Sequence, residues 1–225
     1  MKKHIPNLLT SLNLLTGAYG CIQVLEGNYQ YAIYFVIISG FFDFLDGFVA
    51  RLLHVQSAIG KELDSLADVI SFGMLPALYM VMTLRSVATD SDSLLPYLGL
   101  IVVAFSAIRL AKFNIDDRQS DQFIGVPTPA NAIMLTSLSF LPTAFAPGLY
   151  AYLAITVVSS LLLVAEIPLI ALKFKGAGWA NNSWKYIFIL VTVVLLVGLQ
   201  LSALPFIIPV YLVISILSNI WPSSS

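Results

Sequence analysis

The chain is 225 residues long, 59% apolar and 10% charged, with a mean hydropathy of +0.91 and a formal net charge of −1. Soluble domains carry about 25% charged residues, and one water-soluble core cannot bury this much apolar surface, so lipid is the solvent for most of the chain. Eleven scattered Lys and Arg exclude the basic stripe of a nucleic-acid binder, and a single cysteine, Cys21, excludes a disulfide framework or a cysteine metal cluster.

At the N-terminus, Lys2 and Lys3 imitate the charged start of a signal peptide. Pro6, Asn7, Thr10, Ser11 and Asn13 break the run that follows, and no small-residue cleavage site precedes a soluble domain. Residues 1–10 read instead as a short interfacial helix. Apolar runs of about 20 residues then predict eight spans, near 11–26, 30–52, 60–84, 94–112, 127–145, 149–172, 185–201 and 204–221. The longest polar loops are 113–126 and 173–184, and residues 1–225 read as one integral-membrane domain, an all-α polytopic transmembrane helix bundle.

Alternating these spans from a cytoplasmic N-terminus places Lys2, Lys3, Arg51, Lys61, Arg109, Lys112, Arg118, Lys173, Lys175 and Lys185 on the cytoplasmic side and only Arg85 outside. That asymmetry is what the positive-inside rule requires, and it supports the orientation and the span count together. His54 falls in the turn after the second span and reads as an interfacial residue.

The second and third spans carry Asp43, Asp46, Arg51, Asp64 and Asp68. An ionised carboxylate at mid-membrane costs about 2.5–3.5 kcal/mol on insertion scales, so four of them need compensation. On a helix, Asp43, Asp46, Gly47, Ala50 and Arg51 follow i, i+3, i+4, i+7, i+8, and Gly60, Asp64 and Asp68 follow i, i+4, i+8. Each set occupies a single face, and a short turn makes the two helices antiparallel neighbours. Four convergent carboxylates with one Arg call for cations. Hard oxygen donors without Cys or His suit Mg²⁺ or Mn²⁺, then Ca²⁺, and disfavour zinc. Gly47, Ala50 and Gly60 lack bulk and let a planar or phosphorylated group approach the helix backbone. From the residues alone two other readings stand: close helix packing for the small residues, and a proton or cation pathway of an ion-coupled transporter for the acids.

From Asp43 the chain reads D-F-L-D-G-F-V-A-R, eight residues, then G-K-E-L-D-S-L-A-D ending at Asp68. This resembles the complete signature of the CDP-alcohol phosphatidyltransferases, D-x2-D-G-x2-A-R-x8-G-x3-D-x3-D. Further segments resemble that family's CDP-diacylglycerol–serine O-phosphatidyltransferases: P-N-L-L-T-S-L-N from Pro6, D-S-L-A-D-V-I-S-F-G-M-L-P from Asp64, R-L-A-K-F-N from Arg109 and F-I-G-V-P-T-P-A from Phe123. Lys112 departs from the Arg more often found there, and Glu166 has no family role.

The resemblance implies an enzyme of a cell membrane, plasma or inner, with its active site at the cytoplasmic side, working among membrane lipids as a homodimer. Asp43, Asp46, Asp64 and Asp68 would hold two divalent cations, Mg²⁺ or Mn²⁺, on the diphosphate of CDP-diacylglycerol. Asp68 would be the general base, and Asp46, Gly47, Ala50, Arg51 and Gly60 would line the CDP site. The expected reaction is direct attack by the hydroxyl of L-serine on the phosphorus attached to diacylglycerol, giving phosphatidylserine and CMP. The carboxylate of an amino-acid acceptor needs Arg or Lys beside the metals, which makes 109–130 the acceptor region. Arg109, Lys112 and Arg118 are its basic candidates and Ser71 and Asn114 its polar ones, with Gly125, Pro127 and Pro129 as a rigid loop able to close over the pocket. An acceptor carrying a phosphate, glycerol 3-phosphate or an inositol phosphate, is the alternative within the class.

Overall fold

The computed structural model describes residues 4–55, 57–89, 94–116, 123–170 and 182–221. Helix α1 (His4–Leu25) packs along α2 (Ala32–Leu52). The pair is antiparallel, because Thr10 meets Asp46, Asn13 meets Ser39 and Gly20 meets Phe35. The buried positions of α1 are Pro6, Thr10, Asn13, Gly17, Gly20 and Val24. Steps of 4, 3, 4, 3 and 4 describe the narrow seam of a helix with a 3.5-residue repeat. Polar and small side chains fill it in place of leucines, so the helix backbones come close: a Cβ added at Gly20 would lie 2.8 Å from Phe35 Cβ.

The central element is a rod of 30 residues built from α3 (Ala58–Asp68), a π-helical turn (Val69–Met74) and α4 (Leu75–Val87). In its most apolar stretch 67% of residues are buried, against 28% for the corresponding stretches of α1 and α2, so the bundle is assembled around it. Ser57 starts the rod by accepting a hydrogen bond from the Gly60 N–H at 3.1 Å. Pro76 near the start of α4 has no N–H to offer the Phe72 carbonyl one turn back, and the turn before it is widened to π geometry. Phe72, Leu75, Tyr79, Met80 and Leu84 of the rod form the apolar core with Val36, Val102 and Leu135.

Helix α5 (Ile101–Ile115) follows a 3₁₀ turn and runs antiparallel to the rod, with Ser106 beside Gly73 and Asn114 bonded to Ser65. Helix α6 (Thr128–Thr136) continues as a 3₁₀ turn to Phe140, and α7 (Leu149–Val164) packs on α5. Strand β1 (Phe123–Ile124) pairs antiparallel with β2 (Pro168–Leu169), tying the entry of α6 to the exit of α7. Helices α8 (Ser183–Leu199) and α9 (Leu204–Ile220) pack against each other across Gln200, whose φ of 53° breaks the helix.

The all-α membrane fold agrees with the sequence reading. Among the described residues five stretches are long and apolar enough to cross a bilayer: His4–Leu25, Tyr29–Leu52, Ala58–Val87, Leu95–Ile115 and Ser183–Ile220. The difference from eight spans has identifiable sources. Ser183–Ile220, which takes in the predicted runs 185–201 and 204–221 except Trp221, is one stretch of 38 residues; straight, it would reach about 57 Å, well beyond a hydrocarbon core of about 30 Å, and the Gln200 break folds it back. The predicted 127–145 run holds nine α-helical residues and two 3₁₀ turns of four and three residues, and the 149–172 run yields a 16-residue helix followed by an extended segment.

One expectation is corrected. Residues 4–10 are not a separate interfacial helix but the first two turns of α1. Pro6 lies in the first turn, where no backbone N–H is required, and Thr10 and Asn13 are buried against other helices rather than facing water.

A Cβ added at Gly17 would run into the side chain of Ser71 and lie 2.7 Å from its Cα. Gly17→Val therefore lowers the thermal unfolding midpoint in detergent micelles, by an overpacking cost of about 1–3 kcal/mol. Gly198→Ala in α8, with nothing within 4 Å of its added Cβ, leaves the midpoint unchanged or raised.

Candidate active site

Oxygen atoms of Asp43, Asp64 and Asp68 lie within 4.8 Å of one another. Asp68 is 8% exposed, and the Oδ1 of Asp64 is buried with no hydrogen-bond partner. Three carboxylates this close, on two membrane-spanning helices, repel one another unless positive charge lies between them. An all-oxygen donor set with an orphaned buried lone pair fits a hard divalent cation. Asp46 stands one turn further along α2, where its Oδ2 accepts a 2.5 Å hydrogen bond from the Thr10 hydroxyl.

Asp46 and Asp64 open into a cavity of about 680 Å³. Gly47, Ala50 and Arg51 of α2 line it, with Gly60 and Lys61 of α3, Pro6, Asn7 and Thr10 of α1, and Phe113 of α5. Every position read from the sequence as a CDP contact is therefore in one cavity. A Cβ at Gly60 would sit 3.0 Å from the capping Ser57 Oγ and 3.3 Å from Asn7 Oδ1, while Arg51 folds back so that a Cβ at Gly47 would lie 3.5 Å from its Nη1.

Sequence reasoning missed the contribution of α1. The Asn13 amide donates to Asp68 Oδ1 at 3.3 Å, and the Asn13 carbonyl accepts from Ser39 Oγ at 3.3 Å and Ser71 Oγ at 3.0 Å. Asn13 is thus a junction of α1, α2 and the π turn, with 0% exposure. The available signal was the polar set Asn7, Thr10 and Asn13, spaced by three residues inside an otherwise apolar helix.

Of the described residues expected at the acceptor site, Arg109 and Lys112 share a cleft, while Ser71 and Asn114 lie elsewhere. Ser71 is fully buried, with its hydroxyl bonded to the Asn13 carbonyl, and does not line the cavity. Asn114 ties α5 to α3, donating to Ser65 Oγ at 2.8 Å and accepting from Lys61 Nζ at 3.0 Å. Arg109 is 7% exposed, lies within electrostatic reach of Asp68 and has its guanidinium 4.9 Å from the Phe113 ring centroid. Lys112 is exposed and shares with Arg109, Asp116 and Glu166 a narrow cleft of about 30 Å³. Arg118 lies outside the described residues, as do Lys173 and Lys175. The loop at Gly125 is fastened rather than free: Gly125 N–H donates to the Ile167 carbonyl at 3.0 Å and Val126 N–H to the Leu162 carbonyl at 3.1 Å. Gly125 has φ of 71°, and a Cβ there would meet the Leu163 carbonyl oxygen at 2.8 Å.

Residues 3–172 match the family model described as CDP-alcohol phosphatidyltransferase. The chain is 33% identical over 218 residues, 94% of its own length and 89% of the relative's, to a CDP-diacylglycerol–serine O-phosphatidyltransferase of Helicobacter pylori. It is 36% identical over 141 residues, 61% of this chain and 76% of the relative, to the protein of that name in Bacillus subtilis. An archaetidylserine synthase of Methanothermobacter thermautotrophicus is 30% identical over 184 residues, covering 78% and 73% of the two chains. The chain belongs to the CDP-alcohol phosphatidyltransferase family, and it is an enzyme of phospholipid biosynthesis.

Hydrogen bonds from Thr10 and Asn13 orient the Asp46 and Asp68 carboxylates, and loss of such outer partners weakens a metal site by about 10–100-fold. Thr10→Val and Asn13→Leu each weaken Mn²⁺ binding to the purified protein by roughly that factor in calorimetric titration. Ser65→Ala, which removes a hydroxyl outside this set, leaves it unchanged.

Proposed function

We propose that this chain transfers the phosphatidyl group of CDP-diacylglycerol to the hydroxyl of L-serine, releasing phosphatidylserine and CMP. The observation that carries the reading is the meeting of Gly47, Ala50, Arg51 and Gly60 in one cavity with Asp46 and Asp64. The side chains provide a backbone-accessible surface for a nucleotide, a guanidinium for a phosphate and, beside them, the oxygen donors of a metal site. The names of the relatives support serine as the acceptor. Their family favours group transfer over ion-coupled transport by the same acids.

Asp43, Asp46, Asp64 and Asp68 would hold two divalent cations, Mg²⁺ or Mn²⁺, which when bound neutralise the diphosphate and make its phosphorus more electrophilic. The other roles belong to the protein. Arg51 and Lys61 at the cavity wall offset phosphate charge, and Thr10 and Asn13 fix Asp46 and Asp68. Asp68 accepts the serine hydroxyl proton as the new oxygen–phosphorus bond forms. The bond from that phosphorus to the oxygen of CMP breaks, and CMP leaves with the electron pair. The acceptor attacks directly, so no covalent enzyme intermediate forms.

The membrane assignment extends the same reading. The N-terminus and the cavity lie on the cytoplasmic side of the cell membrane, a reading that the distribution of Lys and Arg supports. The chain crosses the bilayer eight times, with 127–145 and 149–172 as its short spans, and works as a homodimer. CDP-diacylglycerol keeps its acyl chains in lipid while its diphosphate reaches the acids between α2 and α3.

In liposomes containing CDP-diacylglycerol and Mn²⁺ or Mg²⁺, L-serine stimulates CMP release and becomes phosphatidylserine, whereas glycerol 3-phosphate and inositol phosphate do not. CMP release with glycerol 3-phosphate and none with serine refutes the acceptor assignment. Asp68→Asn abolishes transfer in a protein that still folds; unchanged turnover removes Asp68 as the base.

A further inference from the structure

Helix α5 reaches the nucleotide cavity through the ring of Phe113, which stands in its wall with Gly60, Lys61 and Asp64. Arg109 lies four residues earlier on the same helix face, but outside that wall. It is buried and borders the narrow cleft it shares with Lys112. Its Cζ lies 4.9 Å from the centroid of the Phe113 ring, inside the range of about 6 Å over which a cation is drawn to an aromatic face. One ring thus borders the cavity and carries a charge that lies beyond it.

The two partners of this stack are held differently. Arg109 Nε is buried without a hydrogen-bond partner, so no acceptor fixes the guanidinium at that atom, and the ring beneath it and the charge of Asp68 act on it instead. The backbone beside the ring, by contrast, is fastened. Asn114 accepts from Lys61 Nζ at 3.0 Å and donates to Ser65 Oγ at 2.8 Å, which ties the end of α5 to α3. Phe113 itself is 38% exposed, and a ligand filling the cavity covers part of its ring. The side chain is therefore free to turn on a fixed stem until the cavity is occupied.

We propose that Phe113 is a positioning residue that couples the nucleotide cavity to Arg109: a nucleotide in the cavity fixes the ring, and the ring fixes the guanidinium beside Asp68. This rests on the reading of the cavity as the nucleotide site and does not depend on the identity of the acceptor. Filling the cavity restricts the rotamers of the ring, and the group stacked on it loses freedom in the same event. The positive charge near Asp68 is then set in place by the binding step that brings the donor phosphorus to the acids.

Coupling of this kind is reciprocal, so a change at Arg109 is felt by a nucleotide that does not touch it. The test is Mn²⁺-dependent binding of CDP to the full chain in detergent micelles, followed by calorimetric titration in a double-mutant cycle of Arg109→Lys and Phe113→Leu. Lysine keeps the charge near Asp68 but lacks the planar group that stacks. Arg109→Lys weakens CDP binding about fivefold when Phe113 is present, and by less than about twofold in Phe113→Leu. Phe113→Tyr, which keeps a ring, keeps the full sensitivity. An equal effect of Arg109→Lys in both backgrounds overturns the proposal, because Arg109 then acts on the nucleotide without the ring, and so does the lack of any effect. If Arg109→Lys fails to accumulate, kcat at saturating substrates decides: Phe113→Leu lowers it about tenfold or more with an unchanged unfolding midpoint and Phe113→Tyr restores it. Wild-type kcat in Phe113→Leu overturns the proposal. CDP binding involves no acceptor, so the two readings fail separately. A chain that binds CDP but releases no CMP with serine refutes the serine assignment alone, whereas one that binds no CDP refutes the cavity reading and this coupling with it.

Discussion

The molecule is organised by the mutual repulsion of carboxylates placed where lipid, not water, surrounds the helices. Each ionised acid carries an insertion cost of about 2.5–3.5 kcal/mol at mid-membrane, and bringing Asp43, Asp64 and Asp68 within 4.8 Å adds their electrostatic conflict to that cost. A fold tolerates this only where the carboxylates are held by donors and presented to a cation. The arrangement of α1, α2 and the central rod follows from that requirement.

Asn13 meets much of it alone. Its side chain reaches Asp68 and its carbonyl takes hydroxyls from α2 and from the π turn, so one buried residue sets the mutual position of three segments that carry or flank the acids. The small residues act in the same direction. Gly17 and Gly20 bring α1 close enough for Thr10 and Asn13 to reach across, and leucine in that seam would hold the helices too far apart. The widened turn after Asp68 then directs Ser71 toward α1 and leaves Gly73 against α5. The acidic cluster and the cavity lined by Gly47, Ala50, Arg51 and Gly60 thus flank one short stretch of the central rod.

Legibility in the sequence followed the range of the interactions. Asp43 to Asp68 could be read directly, because their spacing fixes a shared face on each of two adjoining helices, and Gly47, Ala50, Arg51 and Gly60 came with them. Thr10 and Asn13 act across helices, and in the sequence they looked like breaks in an apolar run, which led to a separate surface helix that the structure replaces with the start of α1. The basic and polar residues expected around the acceptor were chosen by type and proximity along the chain. Ser71 and Asn114 instead tie helices together. Apolar composition continues past the end of the helix at Val164, and hydropathy does not register the switch to an extended strand there.

The central claim is that the acids of α2 and α3 form one divalent-cation centre at the nucleotide cavity. Electron paramagnetic resonance of the purified chain with Mn²⁺ and CDP tests it most directly. The account calls for two bound ions per chain with a spin-coupled spectrum that disappears in Asp43→Ala. Uncoupled Mn²⁺ at less than one ion per chain, or a coupled signal that survives in Asp43→Ala, would contradict it.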